Sequence, residues 1–200
     1  MKTSEEFHRD NLSDLISKIL KDRKLILEPV KIKYEEDFEP SRVITSFSFR
    51  ETQMNETRLV KLDKIKGTGF VDCVFSACLL KYKETYPSLG NVMLLDLLIK
   101  PVFSKSRKSI QSDAATDVIL QLQIPGRGTA EFKNRSTSLV GSSYNVILSA
   151  FQFYINCEKS MRHLKFLVKE ASDRNRIDLV DSYSYKMSCF TNVNCYEKVL

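Results

Sequence analysis

The sequence predicts an α+β chain of two similar halves, each a group of strands followed by a helix. Three observations predict it. Alternation with a period of two runs from Arg42 to Ile65 and then gives way, after Gly67-Thr68-Gly69, to an apolar repeat of helical period. The same change of period recurs between Val92 and Ile155, and a separate amphipathic segment precedes the first half.

From about Asn11 to Lys21, Leu12, Leu15, Ile16, Ile19 and Leu20 fall at helical spacing behind an Asn or Ser that can cap them, which predicts a short amphipathic helix. Leu25 to Tyr34 alternates Val30, Ile32 and Tyr34 with lysines and contains Pro29, so it suits an extended connector or an edge strand. The acidic EEDFEP closes that section. Val43, Thr45, Phe47 and Phe49 then share one strand face, and Ile44, Ser46 and Ser48 the other. Polar residues from Gln53 to Glu56 make a hairpin connection to a second strand, Arg58 to Ile65. Behind the glycine turn, Val71, Val74, Phe75, Cys78, Leu79 and Tyr82 predict an amphipathic helix that stops near Pro87 and Gly90.

The second half begins with a strand over Val92 to Phe103, followed by the SKSRKS loop and a strand over Asp117 to Ile124. PGRG signals a turn into a short strand around Thr129 to Lys133. Val146, Ile147, Ala150, Phe151, Tyr154 and Ile155 are the paired apolar positions of a second helix. Beyond Asn156 a basic helical stretch covers Met161 to Ala171, and the last residues, rich in Ser, Asp, Asn and Tyr, suit a disordered tail or a docking arm. The expected organisation is an N-terminal helix and connector over 1–39, a central unit over 40–156 and a basic extension over 157–200.

Composition narrows the functional classes. A (β/α)₈ barrel needs roughly 250 residues, and this chain has 200. The 31 Lys and Arg are dispersed among 25 acids for a net charge of +6, a pattern of solvated surface that argues against nucleic acid as a partner. The local exception is Lys105, Arg107 and Lys108, which first suit a flexible loop. Five cysteines without a C-x-x-C pair suit reduced thiols in the cytoplasm, and two histidines without ligand spacing give no support to a metal site. The N-terminal MKTSEEFHRDNL lacks the apolar core of a signal peptide, and the most apolar run, Val92 to Ile99, is too short to span a bilayer and contains Asp96. The expectation is a cytoplasmic chain with no membrane association and no cofactor.

No catalytic set stands out. Gly67 and Gly69 lack the third glycine of a dinucleotide fingerprint, since Asp72 stands in its place, although amides at a helix start can hold a carboxylate. Cys73 and Cys78 lie on or near an apolar helix face, where cysteine is usually core, and Glu35-Glu36 sits in a charged loop.

Four stretches, in order and at matching spacing over roughly residues 40–156, resemble a known family. GTGFVDCVFSAC resembles the G-x-G-P-V-D-A segment of the C-terminal allosteric, or dimerisation, domain of 2-isopropylmalate synthase and the related citramalate synthases. LLDLLIKPV resembles its L-x-D-Y strand, SDAATDVILQLQI its D-A-x-x-x-V strand, and STSLVGSSYNVILSAF its S-T-D-I-x-x-A-S helix start. The resemblance implies a pair of βββα units related by a pseudo-twofold axis, a homodimer, and a branched-chain amino acid bound near the subunit interface as an allosteric signal in leucine biosynthesis. Carried over by position, the ligand residues are Gly67, Gly69 and Val71; Leu94, Leu97 and Pro101; Ala114 and Thr116; and Leu139. Backbone donors would hold the carboxylate and aliphatic walls the side chain.

Phe70 replaces the family's Pro, Leu97 its Tyr, Pro101 a small residue and Ser138 its Asp. Phe70 and Leu97 would make the site more apolar or fill it. The catalytic barrel of the synthases is absent, so the resemblance implies a stand-alone regulatory and dimerisation module, not catalytic alone, that senses a branched-chain amino acid or related metabolite or acts in trans on a partner enzyme such as a separate synthase chain. The alternatives are a structural or interaction protein with a degenerate pocket, and an accessory subunit of an acyltransferase.

Overall fold

Alternating apolar residues build two separate antiparallel sheets. In the computed structural model, which describes residues 4–39, 41–102 and 115–196, the first half comprises α1 (Ser4–Leu20), β1 (Ile26–Phe38), β2 (Ser41–Gln53), β3 (Glu56–Gly67) and α2 (Phe70–Tyr82). The second comprises β4 (Met93–Val102), β5 (Ala115–Ile124), β6 (Gly128–Ser136), α3 (Leu139–Asp173) and α4 (Ile177–Thr191). The sheet orders are β1-β2-β3 and β4-β5-β6, so the chain is α+β with two βββα units, an added N-terminal helix and a C-terminal extension. The SKSRKS loop, with Lys105, Arg107 and Lys108, and the site residue Ala114 lie outside the described residues.

Turn chemistry fixes the registers. Gln53 pairs with Glu56 across a two-residue turn whose Met54 and Asn55 both have positive φ, 52° and 64°, as a type I′ hairpin requires. Pro125-Gly126 turns β5 into β6, with Gly126 at φ 73° and Arg127 N–H donating to Ile124 O at 3.0 Å. Bulges interrupt both sheets: β1 gains a residue between Pro29 and Lys31, β3 one between Leu62 and Ile65, and β4 one between Leu94 and Asp96. Pro29 is tolerated because β1 is an edge strand.

The inner faces of both sheets close on α2 and α3 in one core. Phe47 and Phe49 of β2 and Val118, Leu120, Leu122 and Ile124 of β5 are all buried there, with Phe75 of α2 against Phe151 of α3 at a ring separation of 5.2 Å. Tyr144 ties α3 back to the first sheet by donating to Ser48 O at 2.9 Å. Just before β1, the buried Asn156 amide accepts from Leu25 N–H and donates to Leu25 O, both at 2.8 Å, and Gln152 accepts from Leu27 N–H at 2.8 Å. These side chains supply the partners that a further strand would otherwise give.

Two elements differ from expectation. β1 runs through the acidic stretch to Phe38, because its Glu35, Glu36 and Asp37 face solvent while pairing with Ile44, Val43 and Arg42. α3 is a single helix of 35 residues that passes unbroken through Asn156, since its apolar face simply moves from the sheets to a second core. Of the two expectations for the last residues, a disordered tail or a docking arm, the described ones, through Tyr196, dock on the molecule, most of them as a helix. α4 packs on α3, and Leu12, Ile16 and Leu20 of α1 meet Cys157, Met161, Leu164, Phe190 and Tyr196 in that second core.

The segment after α4 is clamped by polar contacts. Asn194 donates to Ser88 O at 2.9 Å and Asn91 to Cys195 O at 3.1 Å, while the fully buried Glu158 accepts from Ser88 N–H at 2.9 Å and pairs with Arg162. Among the described residues, no helix is long and apolar enough to cross a membrane.

Candidate functional site

The described residues of the sequence-predicted site fall at the starts of the two central helices and on β4 and β5. At the first start, Gly67 ends β3 opposite Val43, and a Cβ there would stand 2.6 Å from Cys73 Sγ, so any larger residue would have to displace the Cys73 thiol. Gly69 is the residue before α2, in extended conformation at φ −158°, and a Cβ on it would meet nothing within 4 Å. Val71 is half-buried in the first turn, against the core.

This helix start already has its own anion and cover. Asp72 stands in the first turn, where a carboxylate complements the partial positive charge of the exposed amides, and its Oδ1 accepts from Ser76 at 3.3 Å. Phe70 packs edge-on against Tyr34 of β1, with centroids 5.8 Å apart and an interplanar angle of 89°.

On the second sheet, Leu94 and Leu97 are half-buried against the core and lie opposite Leu122 and Leu120. Pro101 is exposed and lies opposite Thr116, which in turn lies opposite Ser136. Leu139, the first residue of α3, is 43% exposed three residues beyond Ser136. Pro101, Thr116 and the start of α3 therefore share one end of this sheet. Ser138 caps α3, its Oγ accepting from Gly141 N–H at 3.0 Å, and Ser136 Oγ joins Ser142 Oγ at 2.7 Å.

The eight described residues thus form two groups, one on each βββα unit, and four cavities among the described residues open elsewhere, at the β1–β3 face, the β2–β3 hairpin and the α1–α3 side. Beside Thr116, the buried Asp117 is held by Arg135 and Lys133, and the Arg135 guanidinium, with help from Lys133, keeps its carboxyl below the usual range.

Neither cysteine is arranged for nucleophilic work. Burial pushes the Cys78 thiol up to about 12 and also raises that of Cys73, both on the core side of α2. Among the described residues, no group of three or more His, Cys, Asp or Glu is placed to hold a metal ion.

Sequence reasoning missed a polar cluster at the far end of the first sheet. Glu51 accepts from Tyr82 Oη at 2.7 Å and pairs with Arg58. Lys159 of α3 has a buried Nζ with no hydrogen-bond partner among the described residues, and burial lowers its pKa to about 8 despite the attraction of Glu51. Arg23 nearby donates to His163 Nε2 at 3.0 Å, and burial with the Arg23 charge lowers the His163 pKa. These groups lie far apart in sequence, so no local spacing marks them. Compared with known proteins, the sequence matches no family model and no curated protein.

Proposed function

We propose that the chain is a non-catalytic regulatory and dimerisation module of the kind its sequence resembles, pairing with a second copy and acting on a separate synthase chain. The observation that carries this reading is β4. It is an edge strand on which Met93, Leu95 and Ile99 are 45%, 50% and 49% exposed, and it bears three of the carried-over residues, Leu94, Leu97 and Pro101. An exposed apolar edge invites pairing with another chain unless a partner covers it. The ligand expected here is a branched-chain amino acid, seated where Pro101, Thr116 and the start of α3 meet the second copy.

Sedimentation and calorimetry test both halves of the reading. The chain is expected to sediment as a dimer that Leu95→Lys with Ile99→Lys converts to a monomer, and to bind leucine or isoleucine in a manner that Pro101→Glu abolishes. A monomeric parent chain overturns the dimer, and absence of heat with both amino acids overturns the sensing role. A second reading, an interaction protein with a degenerate pocket, is favoured by Asp72 and by the Phe70–Tyr34 contact, which together occupy and cover the α2 start. A dimer whose melting temperature ignores both amino acids supports it.

A further inference from the structure

The free edge of β1 is divided into a covered part and an open part. Beside Leu25 and Leu27 it is closed by the Asn156 and Gln152 amides of α3, and Pro29 has no N–H to offer. From Lys31 to Phe38 only Ile32 is half-buried, and every other residue is exposed. This stretch pairs with β2 on one side, and on the other no backbone group of the described residues bonds to it. A row of open N–H and C=O groups is a template for a further strand.

The charges along this open part have an order. Lys31, Lys33, Glu35 and Asp37 lie opposite Ser48, Ser46, Ile44 and Arg42, on the face of the sheet turned away from the core residues Phe47 and Phe49. None of the four has an ion-pair partner among the described residues. Along the strand this face therefore runs basic, basic, acidic, acidic. An antiparallel neighbour that answers each charge must run basic, basic, acidic, acidic in its own direction, and that is the order in β1 itself.

We propose that the 31–38 edge of β1 pairs antiparallel with the same edge of a second copy, about a twofold axis at Tyr34, joining two three-stranded sheets into one of six strands. In that register Lys33 meets Glu35 of the second copy and Lys31 meets its Asp37, each pair formed twice. Phe38, 84% exposed, comes beside Val30 of the second copy, which is 46% exposed. Sliding the strands by two residues sets Lys33 against Lys33 or Glu35 against Glu35, so one antiparallel register alone answers all four charges. Charges on an edge usually blunt it, and here their order favours self-pairing instead. A single strand pair buries little area, which places the contact in the weak, reversible class below about 1,200 Å². It is independent of the reading based on β4, which lies in the other sheet.

The test is sedimentation of the full chain carrying Leu95→Lys and Ile99→Lys, which removes contact through β4, at concentrations from about 10 µM to about 1 mM. This chain is expected to be monomeric at the low end, to dimerise toward the high end, and to do so less in about 1 M salt. Two further variants on this background keep its net charge and differ only in the order of charges along β1. Lys33→Glu with Glu35→Lys leaves unlike charges opposite each other and is expected to associate as before. Lys33→Glu with Asp37→Lys sets acid against acid at 33 and 35 and base against base at 31 and 37, and is expected to weaken association roughly 10-fold or more. The substituted positions are exposed and unpaired, so both variants are expected to melt with their background. A background chain that stays monomeric to about 1 mM overturns the proposal and leaves the edge blunted by its charges. Equal association of the two variants, or loss in the first, overturns it as well. Association that survives Leu95→Lys with Ile99→Lys belongs to β1 and association that they abolish belongs to β4, which keeps the two proposals separable.

Discussion

The core between the sheets and the core around α1 and α4 share one helix, α3, but are made differently. The first collects strand residues such as Phe47, Phe49, Leu120 and Leu122 and holds its aromatic rings against one another, as at Phe75 and Phe151. The second has no strand in it among the described residues: Leu12, Ile16 and Leu20 of α1 meet Met161, Leu164 and Phe190 along helix seams. The first half of the chain ends its unit with a helix of 13 residues, whereas the second ends with one of 35, and the extra length is what gives α1 and α4 a surface to pack on. The two units are thus alike in topology and unlike in what they support.

If the sheets define the fold and the helical annex is added to it, truncations in the two cores should differ in reach. Phe151→Ala removes a ring buried among α2, β5 and α3, and should cost about 3–5 kcal/mol and lower amide protection throughout both sheets. Leu164→Ala should cost about 2–4 kcal/mol and open α1 and α4 while leaving the β2 and β5 amides protected. Native-state hydrogen exchange reads both. Loss of β2 and β5 protection in Leu164→Ala would show one cooperative unit and remove the distinction.

Asn156 sits where the two cores meet and sharpens the boundary between them. Its amide serves both Leu25 N–H and Leu25 O, so Asn156→Ala leaves two buried backbone groups without partners and should cost about 2–3 kcal/mol in urea unfolding. A loss below about 0.5 kcal/mol would mean that water replaces both bonds. Asn156→Asp should restore only the bond from Leu25 N–H, because a carboxylate cannot donate to Leu25 O.

The difference between the cores also explains what the sequence revealed. β2 was legible because Val43, Thr45, Phe47 and Phe49 all face inward while Ser46 and Ser48 do not, so burial and periodicity coincide. α4 was not, because its packed face is Tyr183, Met187 and Phe190 among serines and the exposed Tyr185, and Phe190 alone is fully buried. The close approach at Gly67 could be read from the glycine turn, whereas the cover over the α2 start depends on Tyr34, which a strand edge brings to Phe70 from 36 residues earlier in the chain.

Lys159 gives the smallest effect and the one with a defined pH signature. Its Nζ is buried without a hydrogen-bond partner among the described residues, near Glu51, which favours the charge, and Arg23, which opposes it. Burial dominates and sets the folded-state pKa at about 8, against about 10.4 for an unfolded lysine. The charged form is therefore disfavoured by folding. That penalty is present in full below the folded value, shrinks as pH rises from about 8 to about 10.4, and is absent above it. Lys159→Met, which keeps the length of the side chain and drops the charge, should raise the urea midpoint at pH 6.5 and lose most of that gain by pH 10.5. A gain of equal size at both values would assign the effect to packing alone. A loss at pH 6.5 would show that Glu51 outweighs burial and that this lysine holds the end of β2 to α3 as an ion pair.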